Sequence, residues 1–412
     1  MTRRLLCLLL LLVISPAAVA QSVEPLRFLI DSIRVEGLRW GSERVVIAQS
    51  RLHAGREYLE SEIRAGAARA ARLPFVVRID PRLERGEQRG SYELVLDVIE
   101  AKPMFLGALG IFGDEGESYR NATIGGRLFV GRSGLLHAAA TGGDGRQLEL
   151  GYTQYDLFGT GASVTAVIQR RKLETPPSSL IEVDGSDHIR TQLIAAVPIR
   201  GNHAVRGTFI REPIVIRGFF SDDRPFRVEH VTTSELAWIY DSTDDRIFPT
   251  TGTAVVANAS LRRGPYVAVD LNRTERLTHY TRPSFGVSGR HHHQLLPDHS
   301  IWVGGNYRHS RRGAVVFNQI GQREMRTSRF TDASAHTGYA FTPWSGERSR
   351  RLGDLRFEAY VLGLAQRGTI PRDPFIGDQR VSENIFVASV GVVYRNPWTV
   401  VRFYLEAVGG DP

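Results

Sequence analysis

From Met104 onward the chain keeps one rhythm, with apolar and polar residues taking turns. Leu148, Leu150 and Tyr152 oppose Gln147, Glu149 and Thr153, and Ala162, Val164, Ala166 and Ile168 oppose Ser163, Thr165, Gln169 and Arg171. Leu355, Phe357, Ala359 and Val361 alternate in the same way with Asp354, Arg356, Glu358 and Tyr360. Period two means extended strands with one oily and one polar face. About fifteen or sixteen such segments fit into residues 104–412, roughly 19 residues per strand with its loop, and closure of a bacterial barrel favours sixteen. A soluble sandwich would alternate too. The absence of any helical interval, and aromatics at strand ends (Tyr152, Tyr155 and Phe158; Trp238 and Tyr240; Tyr394 and Trp398), point instead to a membrane barrel with an interfacial girdle. The fold class expected is an all-β transmembrane barrel of about 16 antiparallel strands behind a small α+β domain.

Ahead of the barrel, over about 26–101, the period changes. Phe28–Val35 reads as a strand carrying Ile33 and Val35. Ser42 stands where a helix over about 43–53 needs its cap, with Gly55 as its C′ residue. A second helix, about 57–72, puts Leu59, Ile63, Ala67 and Ala70 on one stripe, and Pro74 stops it. Phe75–Ile79, with Val77 and Ile79, and Ser91–Ile99 return to alternation. The order is β-α-α-β-β, and Ala101-Lys102-Pro103 links it tightly to the barrel.

One stretch stands out within the barrel. Tyr240-Asp241-Ser-Thr-Asp244-Asp245-Arg-Ile-Phe-Pro249-Thr-Thr-Gly252-Thr253 joins two alternating runs and is built from turn formers. This motif resembles one that recurs in the barrel of the BamA/TamA superfamily of bacterial outer-membrane proteins, and the N-terminal order resembles a single POTRA domain. Ser389–Phe403 is similar to that family's closing hairpin. The chain departs from the pattern in running on through Gly409-Gly410-Asp411-Pro412. It also lacks a clean Arg-Gly-Tyr or Arg-Gly-Phe of the inward loop: Arg217-Gly218-Phe219 precedes the motif, and Gly321–Arg326 lacks the letters. The resemblance implies a sixteen-stranded barrel and a periplasmic module that holds unfolded envelope polypeptides by adding strands to its sheet edge, here through Ile33, Val35, Val77 and Ile79. It further implies insertion or secretion of those clients through a weakly zipped seam between the first and last strands. The competing expectation is a passive pore or surface antigen with the module as a brace.

The first residues set the compartment. Thr2-Arg3-Arg4, the apolar run Leu5–Ile14 and Ala18-Val19-Ala20 form a signal peptide over 1–20, too short to span a bilayer. The only cysteine, Cys7, lies inside that run, which leaves the exported chain without disulfides or cysteine-ligated metal. These features predict the bacterial outer membrane, with the module in the periplasm. The 52 Lys and Arg against 44 Asp and Glu give +8, scattered rather than clustered. A nucleic-acid partner needs a basic patch, so the arginines are expected to face lipopolysaccharide or a polar lumen.

Catalytic signals are sparse. Gly-x-Ser-x-Gly, His-Glu-x-x-His and phosphate-loop patterns are missing, and no cofactor or enzymatic activity is expected. Asp241, Asp244 and Asp245 could offer oxygens to a cation, but turn capping explains them more simply. His291-His292-His293 alternate across a strand, so only the outer two could converge on zinc, and a solvated strand end is the plainer reading.

Overall fold

The computed structural model describes residues 26–113, 118–143, 146–172, 188–217, 225–269, 275–317, 323–343, 353–370 and 379–411. Residues 27–100 form the module: β1 (Arg27–Glu36), α1 (Glu43–Ser50), β2 (Arg56–Leu59), α2 (Glu60–Ala70), β3 (Val76–Arg85) and β4 (Ser91–Glu100). The sheet order is β2-β1-β4-β3, with β1 and β4 parallel. The expected β-α-α-β-β order therefore gains a strand. Arg56–Leu59 breaks off what read as the first turn of the second helix and pairs antiparallel with Arg27–Ile30.

This extra strand changes which edges are free. Val77 and Ile79 lie on β3, at one edge of the sheet. β1 is not an edge strand along its first half, because β2 covers it. Ile33 and Val35 pair with Leu94 and Leu96 of β4, and among the described residues no strand takes their other side. The caps also differ from expectation. Ser42 occupies the N-cap of α1, yet its hydroxyl donates to the carbonyl of Arg132 on the barrel. The left-handed residue that ends α1 is Arg51 (φ 57°), and Gly55 instead donates its amide to Ile30 O.

The remaining strands, β5 to β19, make one closed barrel in which each pairs antiparallel with its neighbour in sequence. They are β5 (Met104–Gly113), β6 (Ser118–Val130), β7 (Gly134–Gly143), β8 (Arg146–Leu157), β9 (Ala162–Lys172), β10 (His188–Pro198), β11 (His203–Arg217), β12 (Pro225–Asp241), β13 (Gly252–Val269), β14 (Glu275–Leu296), β15 (His299–Phe317), β16 (Arg323–Phe341), β17 (Asp354–Ile370), β18 (Gln379–Arg395) and β19 (Thr399–Asp411). Among the described residues the barrel has fifteen strands, one fewer than the sixteen that parity favours, and the count has a geometric consequence. Fourteen reversals between fifteen strands leave the first and last pointing the same way, so β19 closes on β5 in parallel, from Thr399↔Leu106 to Glu406↔Gly113.

Alternation is inside-out relative to a soluble protein. Leu236 and Leu405 are each 61% exposed on the outer face. Many charged residues turn inward and find partners there: Glu149 meets His137 and Gln169, Glu235 meets Arg206 and Asn258, and the hydroxyls of Tyr360 and Tyr404 donate to Glu406 and Glu358. Among the described residues no helix is long and apolar enough to cross a membrane. A closed barrel with an oily exterior meets the requirement that every backbone polar group in lipid be paired within the protein.

The module packs on the rim where β5 begins. Phe75 is fully buried, and its ring lies 4.9 Å from Phe129 at the end of β6, which is itself 5.7 Å from Trp40. Leu135 and Tyr155 of the barrel join the same core. Tyr155 therefore corrects the girdle assignment: it turns inward to meet the module, whereas Trp238 and Trp398 stay exposed. The Glu100 carboxylate accepts the amides of Arg39 and Gly41, and Trp40 Nε1 donates to Ala101 O. These bonds fix the link between module and barrel. Phe129→Ala removes two ring contacts worth about 0.5–1.5 kcal/mol each. It is expected to speed protease cleavage within the module while the barrel's heat-dependent gel mobility stays unchanged. Equal cleavage rates for both proteins would refute the shared core.

Candidate functional site at the module-facing mouth

The motif expected to be a strand–turn–strand is one, and its loop, residues 242–251, lies at the module-facing end of β12 and β13. Asp241 pairs in register with Ala254. Each acidic residue then organises a different part of the loop. Asp241 Oδ1 accepts from the amide and hydroxyl of Thr243 (3.0 and 2.6 Å). Asp244 accepts the amides of Thr250 and Thr251, and Asp245 accepts those of Ile247 and Phe248. Gly252 has φ +101°, and a Cβ there would sit 2.4 Å from Ser242 O, so the position requires glycine. Tyr240 lies 4.9 Å, ring to ring, from His203 on the neighbouring β11.

From this hairpin the loop reaches inside the rim to the wall formed by β17 and β18, with β14, β15 and β16 in between. Arg395 Nη1 donates to both oxygens of Asp245 (2.8 and 2.9 Å), and its Nε donates to Asp354 Oδ2 (2.7 Å). Arg356 Nη1 donates to Pro249 O at 3.0 Å. Phe248 is buried, with the Arg395 guanidinium 4.6 Å from its ring centre and that of Arg356 at 5.8 Å. Two buried guanidiniums thus hold one aromatic residue and one carboxylate across the mouth. Such pairing is what makes burial of these charges tolerable.

The module grips the same loop from its other side. Arg72, just past α2, donates to Asp241 Oδ1 (2.9 Å) and Thr243 O (3.0 Å). Further polar contacts run along the adjacent turns: Arg44 Nε to Asp156 (3.0 Å), Gln49 to Gly161 O (3.1 Å), Arg51 to Gly201 O (2.5 Å) and Arg69 Nη1 to Asn202 (3.0 Å). Burial, with Arg51 and Arg72 close by, pulls the Arg69 guanidinium down to about 10. It remains charged at neutral pH, with the carbonyl of Ser50 and the Asn202 side chain as its acceptors.

The three aspartates spend their oxygens on amides, hydroxyls and guanidiniums. Among the described residues no group of three potential ligands converges on a metal. His291 Nδ1 lies 2.8 Å from Thr253 Oγ1, while His292 turns inward and is buried near Trp302. Glycine 218, Phe219 and Gly321 of the candidate inward-loop segments lie outside the described residues. Sequence reasoning found Tyr240, Asp241, Asp244, Asp245, Pro249 and Gly252, which the structure gathers in one hairpin, the loop and the strand ends that flank it. It missed their partners Arg72, Arg356 and Arg395, whose only signal was a charged residue near the end of an element.

No family model matches the chain, and no curated protein does. Three solved structures are similar in outline. BamA from Haemophilus ducreyi lacking POTRA domains 1–3 is 11% identical, with a TM-score of 0.44 over 92% of this chain and 80% of that one. CdiB from Acinetobacter baumannii is 11% identical, with a TM-score of 0.40 over 90% and 70%. OmpT of Vibrio cholerae is 10% identical, with a TM-score of 0.33 over 73% and 95%. Likenesses this distant carry no argument about activity. The chain is a barrel by its own strand pairing.

Asp245→Ala strands the buried Arg395 beside Asp354 alone and is expected to cost on the order of 3 kcal/mol. The checking measurement is the temperature at which the folded gel band disappears, and an unchanged temperature would show that the latch is idle. Gly252→Val, which cannot adopt the required backbone, should lower the same temperature.

Proposed function

We propose that this chain is a bacterial outer-membrane barrel, with its module in the periplasm, that inserts or secretes envelope polypeptides by pairing with their strands. The observation that carries the proposal is the seam. β19 and β5 form the only parallel pair among the described barrel strands, and residues 407–411 of β19 continue past the last paired residue of β5. Parallel pairing is slightly less stable per residue than antiparallel pairing. A single added strand running opposite to both neighbours would make the closure antiparallel throughout and the strand number even. The free edge of β3 offers unpaired backbone groups for an earlier contact with the same client. No catalytic group or cofactor enters this reading.

A passive pore is disfavoured by the loop that crosses the mouth from β12–β13 to Arg395. The firm docking of the module nonetheless gives it a bracing part as well. Val401 and Ala108 are register partners across the seam, and Cys7 is the sole native cysteine. The double variant Val401→Cys with Ala108→Cys should therefore lock the seam on oxidation. Oxidised protein in liposomes is expected to lose its ability to speed insertion of unfolded barrel polypeptides, and reductant should restore it. Equal rates in both redox states, or bilayer conductance that simply follows Arg262→Glu, would overturn the proposal.

A further inference from the structure

On the outer face, away from the module, one row of side chains differs from the oily band below it. Strand register places Thr191 of β10, Arg211 of β11, Thr232 of β12, Arg263 of β13 and Thr281 of β14 side by side. The row next to it on the module side holds Leu193, Phe209, Ser234, Leu261 and Pro283. Thr191, Arg211, Arg263 and Thr281 are exposed, and alternation along each strand points the row the same way as exposed Leu193 and Phe209. Arg211 and Arg263 therefore stand where hydrocarbon contact gives way to polar groups, in the leaflet on the far side from the module.

The two guanidiniums have no hydrogen-bond or ion-pair partner among the described residues. Glu212 does not neutralise its neighbour, because it points into the lumen and pairs with Arg190 at 3.2 Å. Among the described outward side chains of β10 to β14 there is no carboxylate. His230 and His279, both exposed, lie two residues beyond Thr232 and Thr281 along their strands, away from the module. The strand spacing sets the two arginines roughly 10 Å apart at the backbone, with a threonine hydroxyl between them. Exposed arginine with no internal acceptor, set at the edge of an apolar band, matches a ligand that is anionic at one end and oily at the other. Guanidinium is the side chain best suited to phosphate oxygens.

We propose that this row binds the phosphate groups of a glycolipid in the far leaflet, with its acyl chains lying along Leu193, Phe209, Leu236 and Leu261. The proposal rests on the outer-membrane reading and adds a lipid site to it. Arg211 and Arg263 donate to phosphate oxygens. Thr191, Thr232 and Thr281 offer hydroxyls to the sugar, and the apolar rows below carry the chains.

The test uses the full folded chain in detergent micelles with three probes: phosphorylated lipopolysaccharide, the same glycolipid after phosphatase treatment, and inorganic phosphate. Loss of a charge-assisted hydrogen bond weakens binding by about tenfold or more. Arg211→Ala with Arg263→Ala is accordingly expected to retain phosphorylated glycolipid at least about tenfold more weakly than the native chain. Arg211→Lys with Arg263→Lys should retain most of the binding, and the phosphatase-treated glycolipid should not distinguish any of these proteins. Equal retention by the native and double-alanine proteins would overturn the proposal. Displacement by inorganic phosphate at equal concentration would overturn it too, since that result assigns the site to free phosphate. If the native chain instead stays soluble and monomeric without detergent, the membrane reading itself fails. If it inserts but binds without regard to the arginines, only the lipid site fails.

Discussion

The barrel depends on the rule that backbone amides and carbonyls behind an oily exterior must find partners in the protein itself. An open sheet cannot meet that rule, because it leaves a row of unpaired groups at each edge. The described residues meet it with fifteen barrel strands, and that odd number decides how the ends join. β19 meets β5 in parallel, and the closing pair is unlike the antiparallel pairs of the rest of the wall. The special character of the seam is thus a matter of counting before it is a matter of side chains.

The second organising feature is the loop between β12 and β13. It is held from three directions: by its own aspartate-to-amide bonds, by Arg72 from the module, and by Arg395 and Arg356 from the opposite wall. None of these alone would hold a ten-residue connection across a mouth, since each bond contributes only modestly. Together they join module, loop and β17–β18 into one hydrogen-bonded body. The strand next after β18 is β19, so the latch ends beside the seam. A change in module position therefore has a short physical route to the place where the barrel closes.

The sequence announced a good part of this, for reasons of period and of turn chemistry. Alternation separates outer from inner faces because successive side chains on a strand point oppositely, and Leu236 and Glu235 do stand on opposite faces. The motif residues were legible because turns demand particular groups: a glycine for the φ of Gly252, and aspartates to cap exposed amides. Where reading failed, the competing force was tertiary. Arg56–Leu59 has helix-compatible composition but lies beside β1, whose first half would otherwise be an unpaired edge. Ser42 stands at the N-cap its spacing predicts, yet its hydroxyl goes to the carbonyl of Arg132 on the barrel. Tyr155 has the position of a girdle residue in the sequence, yet it fills the module core.

By itself, then, the chain determined its strand period and the local shape of the Tyr240–Thr253 turn. Both depend on residues within a few positions of one another. Tertiary structure alone decided the strand number and its parallel closure, the partners of Asp245 and Arg72, and the single row shared by Arg211 and Arg263. Those facts depend on the register of strands far apart in sequence. Local chemistry does not encode them, because a charged side chain looks the same in sequence whatever it will meet across the barrel.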